Sequence, residues 1–163
     1  MKVKEVMTPN AQACTLTTNL AEVAGLMWDK DCGIVPVVAE GGKVVGLITD
    51  RDICMAAATK GWNLVNIAVE DVITGEVFSC KADDDIHTAL GQMKRHKVRR
   101  LPVVAAEGDL EGILSMNDVV LKAEEVGQKK VTELSYGDVV NTYKAICEHR
   151  EEPEQPKRMA AGV

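Results

Sequence analysis

The sequence predicts an α+β protein: two pseudo-symmetric β-α-β-β-α units packed into one module, followed by one more helix. Three observations predict it. The chain states one phrase twice, Ile34-Val35-Pro36-Val37-Val38-Ala39 and Arg100-Leu101-Pro102-Val103-Val104-Ala105, 66 residues apart. The same interval joins Thr8 to Thr74, Cys14 to Cys80, Met27 to Met93, Gly46 to Gly112 and Asp52 to Asp118, with no insertion or deletion. A fixed repeat of this kind imposes pseudo-symmetry and puts sites at equivalent places or at the seam between copies. Within each copy, apolar residues switch from helical spacing to continuous β-branched runs. Finally, 163 residues with 46% hydrophobic content suit two small units sharing a core, where one 66-residue unit alone would be marginal.

The elements follow in order. Val3 to Thr8 reads as a short helical turn ended by Pro9, matched by Val69 to Thr74 with Gly75. A short extended stretch ends near Cys14 in one copy and near Cys80 in the other. Leu20, Val23, Ala24 and Met27 then share a helical face, with Asn19 as N-cap; Ile86, Ala89, Leu90 and Met93 repeat it. Asp83, Asp84 and Asp85 supply negative charge and capping at the start of that second helix. Ile34 to Ala39 and Val44 to Thr49 form a hairpin about the turn Glu40-Gly41-Gly42-Lys43. Leu101 to Ala105 and Leu110 to Ser115 form the second hairpin. Helices over Arg51 to Thr59 and Asn117 to Val126 complete the units. Gly127 to Lys130 breaks the chain before a last helix from Ser135 to about His149. Its stripe of Tyr136, Val139, Val140, Tyr143, Ile146 and Cys147 must dock on its own chain or on a partner. The expected division is 1–66 and 67–127 for the units, 128–150 for the helical extension and 151–163 for a disordered tail.

Bulk properties narrow the function. A net charge of −6 and 3% aromatic residues argue against a nucleic-acid binder, which needs a basic face or stacking platforms. No apolar run approaches the about 20 residues of a membrane span. The opening Met1-Lys2-Val3-Lys4-Glu5 lacks the apolar stretch of a signal peptide, so the expected compartment is the cytoplasm. The five cysteines form no C-x-x-C and read as packing residues, and no metal site is expected. None of the three histidines lies in a nucleophile or metal motif, no phosphate-binding Walker loop is present, and no catalytic residue is assigned.

Two phrases carry chemistry. Gly46-Leu47-Ile48-Thr49-Asp50-Arg51-Asp52 recurs as Gly112-Ile113-Leu114-Ser115-Met116-Asn117-Asp118. Thr49 with Asp52, and Ser115 with Asp118, fit helix-capping boxes. The same geometry fits a ligand: an aspartate there can accept both hydroxyls of a ribose, and the neighbouring hydroxyl can reach a sugar or phosphate oxygen. Both readings stand at this level. The second phrase precedes each proline, Cys32-Gly33-Ile34-Val35 and Val98-Arg99-Arg100-Leu101, where a strand start could edge a cleft for an adenine. Lys97, Arg99 and Arg100 form a basic cluster suited to phosphate or to solvated surface charge.

An apolar-Pro-Val-Val strand followed by Gly-apolar-apolar-[Ser/Thr]-x-x-Asp, twice in fixed register, resembles a tandem pair of cystathionine-β-synthase (CBS) domains, a Bateman module. The opening Val6-Met7-Thr8-Pro9 is typical of free-standing bacterial members, and the resemblance covers Val3 to Val126. It implies a non-catalytic regulatory module whose effector is AMP, ADP, ATP or S-adenosylmethionine, bound in two clefts without an obligatory cofactor. It implies that Asp52 and Asp118 hold ribose, with Thr49 and Ser115 beside sugar and phosphate. Gly33, Ile34 and Val35 would edge one adenine, and Arg100 and Leu101 the other. Arg99 and Arg100 would face phosphate, and Thr15 and Lys81 would close the clefts. It further implies a homodimer; the exposed faces of the module helices are the expected interface, to which the Tyr136 to Cys147 helix could add by crossing onto the partner. The alternatives are a ligand-independent dimerisation scaffold and a regulatory subunit of a separate enzyme or transporter.

Overall fold

The computed structural model describes residues 1–73, 76–125 and 133–148. Thr74, Gly75, the expected helix break at Gly127 to Lys130, the expected helix ends at Val126 and His149, and the expected disordered tail 151–163 lie outside them.

The strands are β1 (Thr8–Pro9), β2 (Cys14–Thr15), β3 (Ile34–Val38), β4 (Val44–Thr49), β5 (Arg100–Val104) and β6 (Leu110–Ser115). The helices are α1 (Leu20–Asp29), α2 (Asp50–Thr59), α3 (Ile86–His96), α4 (Met116–Lys122) and α5 (Tyr136–Cys147). The β3–β4 and β5–β6 hairpins repeat in register, pairing Ile34 with Thr49 and Arg100 with Ser115. Each carries an irregularity at the matching step, Val37/Val38 and Val103/Val104. Beside β3 runs β2 in parallel, Cys14 opposite Val37; Cys80 opposite Val103 repeats that contact as a single bridge. The hairpin tips meet across the pseudo-two-fold, where Val44 N–H donates to the Gly108 carbonyl (3.1 Å) and Leu110 N–H to the Gly42 carbonyl (3.3 Å). Gly41, Gly42 and Gly108 hold positive φ of 91°, 86° and 94°, a conformation that only glycine adopts without a Cβ clash.

The spatial units are offset from the sequence repeat. Val3 and Val6 are buried in the core built by α3, β5, β6 and α4, and β1 pairs antiparallel with β6. Conversely Ile67 and Val69 are buried in the core of α1, β3, β4 and α2. Matching backbone bonds fix each incoming segment: Val3 N–H to the Asp84 carbonyl (3.0 Å), and Val69 N–H to the Thr18 carbonyl (2.9 Å). The interior is accordingly two apolar clusters, one per unit, where the sequence suggested one shared core. The glycine of the Gly112 phrase is explained here. A Cβ on Gly112 would stand 2.5 Å from the Thr8 carbonyl oxygen, so glycine alone admits β1.

Two further elements differ from expectation. The chain leaves α4 at Ala123 in an extended conformation, earlier than the apolar pattern indicates. The cause is a turn back onto Leu134: Glu124 N–H donates to the Leu134 carbonyl, and Tyr136 N–H to the Glu124 carbonyl. The last helix docks on its own chain. Val139, Tyr143 and Ile146 of α5 pack on the α3–α4 core, and Thr142 is fully buried with its hydroxyl donating to the Asp138 carbonyl (2.7 Å). Tyr136 and Val140 lie on the outer flank, more than half exposed.

Candidate functional site

Strand β6 hands over to α4, and β4 to α2, through the same device. Ser115 hydroxyl donates to Asp118 Oδ2 (2.6 Å), Ser115 N–H donates to the same oxygen (2.8 Å), and Asp118 N–H donates to Ser115 Oγ (3.2 Å). Thr49 and Asp52 repeat it at 2.6, 2.9 and 3.2 Å. Both phrases are therefore true capping boxes. The box consumes the hydroxyl proton of Ser115 and one carboxylate oxygen of Asp118. The other, Oδ1, accepts from the Thr8 hydroxyl at 3.2 Å, a residue 110 positions away. The cap and the ligand readings thus use different oxygens of one carboxylate. Because its proton is spent on Asp118, the Ser115 hydroxyl can only accept from a ligand.

Asp118 and Ser115 line a cleft of about 470 Å³ at the seam between the units. Its other wall is Gly33, Ile34 and Val35, and Arg100 also borders it. All six were expected at a ligand, with the pairing of each aspartate to an adenine edge left open. Arg100, expected at an adenine edge and at phosphate, pairs with Ser115 across β5–β6 and so borders the cleft that Gly33, Ile34 and Val35 also line. Leu101, next to it, is fully buried in the core and lines no wall here. The lining combines apolar Ile34, Val35 and Ile113 with the charged side chains of Asp118 and Arg100, a mixture that can hold an apolar ring and orient polar groups attached to it.

The remaining expected residues lie elsewhere. Lys97 ends α3 in a left-handed turn (φ 53°) and its ammonium donates to the Glu148 carbonyl (3.2 Å), which ties down α5. Arg99 is exposed, and its carbonyl accepts from Met116 N–H at 3.0 Å. Thr15 bonds the hydroxyls of Thr17 and Thr18, and Lys81 N–H donates to Asp84 Oδ2. None of these four borders the cleft. Thr49 and Asp52 sit at the pseudo-symmetric position; Thr74 and Gly75, the sequence repeats of Thr8 and Pro9, lie outside the described residues.

Sequence reasoning missed Thr8, Asn10, Lys30 and Asn117, all of which border the cleft. Thr8 was visible as a repeat position. Lys30 was hidden because the chain reverses just after it, with Asp31 in the left-handed region at φ 48°.

The acidic run before α3 acts structurally. Asp85 caps α3 by accepting from His87 N–H (2.9 Å), and Asp83 takes ion pairs from Lys4 (2.8 Å) and Lys2 (3.0 Å) of the incoming N-terminal segment. Those ammonium groups hold the Asp83 carboxyl down to about 2. Among the described residues no cluster of three metal-ligating side chains occurs. Burial pushes the Cys14 thiol up to about 11 and the Cys80 thiol up to about 12, so both are packing residues rather than nucleophiles. Among the described residues no helix is long and apolar enough to cross a membrane.

A family model for the CBS domain matches residues 3–59 and 69–125. The protein YlbB of Bacillus subtilis is 34% identical over 141 residues, spanning 84% of this chain and 93% of that one. Homoserine O-acetyltransferase of Methanosphaera stadtmanae is 31% identical over 103 residues, 63% of this chain but only 20% of the enzyme. The solved structure of CBSX2 in complex with AMP matches with a TM-score of 0.62 at 26% identity, over 74% of this chain and 93% of that one. With two matched repeats, two exchanged N-terminal segments and a seam cleft between them, the chain belongs to the CBS-domain family and carries a tandem pair of its domains.

Proposed function

We propose that this CBS pair is a non-catalytic regulatory module that senses an adenosyl ligand in the seam cleft. The observation that carries the reading is Asp118: one oxygen closes the capping box, and the other faces Thr8 in a cleft walled by Gly33, Ile34 and Val35. In this reading a ribose hydroxyl bonds Asp118 Oδ1, and the adenine lies along Ile34 and Val35. With Asp118 given to the ribose, Lys30 and Arg100 outnumber Asp31 on the same lining and favour a phosphorylated nucleoside such as AMP, ADP or ATP over the sulfonium of S-adenosylmethionine. The volume suits one such molecule, and the relative CBSX2 holds AMP. Thr49 and Asp52 would serve a second cleft, and Arg99 its phosphate. The module acts as a cytoplasmic homodimer, and the ligand works by binding one arrangement of it more tightly than another.

The test is calorimetric titration of the full chain with AMP, ADP, ATP and S-adenosylmethionine. Micromolar binding of a phosphorylated nucleoside, weakened in Arg100→Ala, is expected. A folded protein that binds none of the four refutes the sensor reading and leaves the scaffold.

A further inference from the structure

The helix pairs of the two units are clothed differently. In the second unit α5 packs on α3 and α4, seating Val139, Tyr143 and Ile146 on the core. His87 reaches toward Asp138 at one end of that seat (3.6 Å), and Lys97 holds the Glu148 carbonyl at the other. The 66-residue register carries Leu90, Met93, Val119 and Ala123 of the second unit onto Ala24, Met27, Ile53 and Ala57 of the first. Those four line an open groove of about 600 Å³ between α1 and α2. Trp28, at its lip, is 86% exposed.

The two seats have opposite charge. Lys97 has Asp31 as its counterpart, and both hold a left-handed turn (φ 53° and 48°). Asp50 adds a second carboxylate to the first-unit groove. That groove therefore disfavours the inner face of α5, which brings Asp138 and the terminal carbonyls, and favours an apolar helix face with a cation beside it. The chain has such a face. Tyr136 and Val140 are 56% and 55% exposed on the outer flank of α5, Cys147 continues their row, and Lys144 stands exposed next to them.

We propose that the outer face of α5 from one molecule seats in the α1–α2 groove of a second copy, pairing two chains head to tail. The contact is reciprocal, so a two-fold closes it without leaving a free groove. This rests on the homodimer reading above and fixes the arrangement that reading leaves open.

Natural cysteines report the arrangement. Cys32 and Cys54 line the groove, and Cys147 is exposed on the α5 face. The full chain is sized by light scattering, then linked with a short bismaleimide and mapped by mass spectrometry. A dimer whose linked peptides join Cys147 to Cys54 or Cys32, with the link lost in Cys147→Ser, is the expected result. Trp28→Glu should raise the dimer dissociation constant at least about tenfold. Lys144→Glu should weaken the dimer as well, and adding Asp31→Lys should restore it, since Lys97 shows that lysine accepts this backbone. A dimer whose links join Cys147 to Cys147, or which lacks the Cys147 link to the groove, overturns this arrangement while the homodimer stands. A monomer overturns both. The linking experiment uses the unaltered chain, so a misfolded variant does not decide the matter.

Discussion

Three helices of this protein begin with the same box: Thr49 with Asp52, Ser115 with Asp118, and Ser135 with Asp138. Their geometry is nearly identical, with hydroxyl to carboxylate distances of 2.6, 2.6 and 2.7 Å. This provides an internal control that separates capping from ligand binding. Alanine at each aspartate should cost a similar about 1 kcal/mol of stability, the usual worth of an N-terminal cap. Ligand affinity should respond only where the carboxylate borders a cleft. Asp118 has Oδ1 outside the box and directed to Thr8, whereas Asp138 sits against His87 at the start of α5. Losing one or two charge-assisted hydrogen bonds to ribose should cost about 2–4 kcal/mol. That is an affinity loss of roughly 30- to 1,000-fold. The assay is urea denaturation of Asp118→Ala and Asp138→Ala, paired with nucleotide titration of each. Equal stability losses with binding weakened only in Asp118→Ala are expected. If Asp118→Ala is destabilised but binds as wild type, Asp118 is a cap alone and the cleft assignment fails.

Other consequences follow from the packing. Gly112→Ala drives a Cβ into the Thr8 backbone (2.5 Å), whereas Gly46→Ala crowds the Ile73 Cδ1 methyl (2.8 Å), a side-chain end that can rotate away, and otherwise makes ordinary contact with Val37. The first should cost about 2–3 kcal/mol and the second about 1 or less in urea denaturation; equal costs would show that β1 is not held where described. Capping by Ser135, with a smaller pull from His87, lowers the Asp138 carboxyl below its ordinary 3.8. A lowered folded value means that its stabilisation is complete above 3.8 and is lost as pH falls through the folded value. The melting temperature of wild type should therefore exceed that of Asp138→Asn at neutral pH, with the gap closing on acidification below 3.8; a constant gap would refute it. Deleting residues 1–9 removes buried Val3 and Val6 from the second core only. Hydrogen exchange should then speed in α3, β5 and β6 while α1, β3 and β4 stay protected, and uniform acceleration would contradict two separate cores.

Most of the local structure was legible because it is encoded by neighbours. Asn19 caps α1 as its position before Leu20 indicates. The hairpins fall where the β-branched runs and glycine turns place them, with strand ends shifted by one residue at Ala39, Arg100 and Ala105. The capping boxes are readable because both partners lie three residues apart. Contacts between distant residues were not legible in the same way. Val3 and Val6 look like any apolar pair, and no local pattern says which copy will bury them. Lys97 looks like a phosphate ligand beside Arg99 and Arg100, yet its left-handed turn at the end of α3 aims it at Glu148. Asp83 reads as helix-start charge, but its partners, Lys2 and Lys4, arrive from the exchanged N-terminal segment.

That exchange also explains why the cleft lies at a seam. Each repeat builds its own hairpin and helix pair, but β1 leaves the first repeat to lie on β6 of the second. Thr8 reaches Asp118 only because of this crossing, and Gly112 is the residue that lets the strands approach closely enough. The opposite wall, from Lys30 to Val35, belongs to the first unit. A ligand in the cleft would therefore touch a segment of each unit and the strand that ties them, and its binding energy would act directly on how the units sit together. The same Asp31, Cys32 and Gly33 segment borders the α1–α2 groove on its other side. A ligand that orders this short wall also shapes the surface offered to a second molecule, which is the physical requirement for coupling occupancy to assembly.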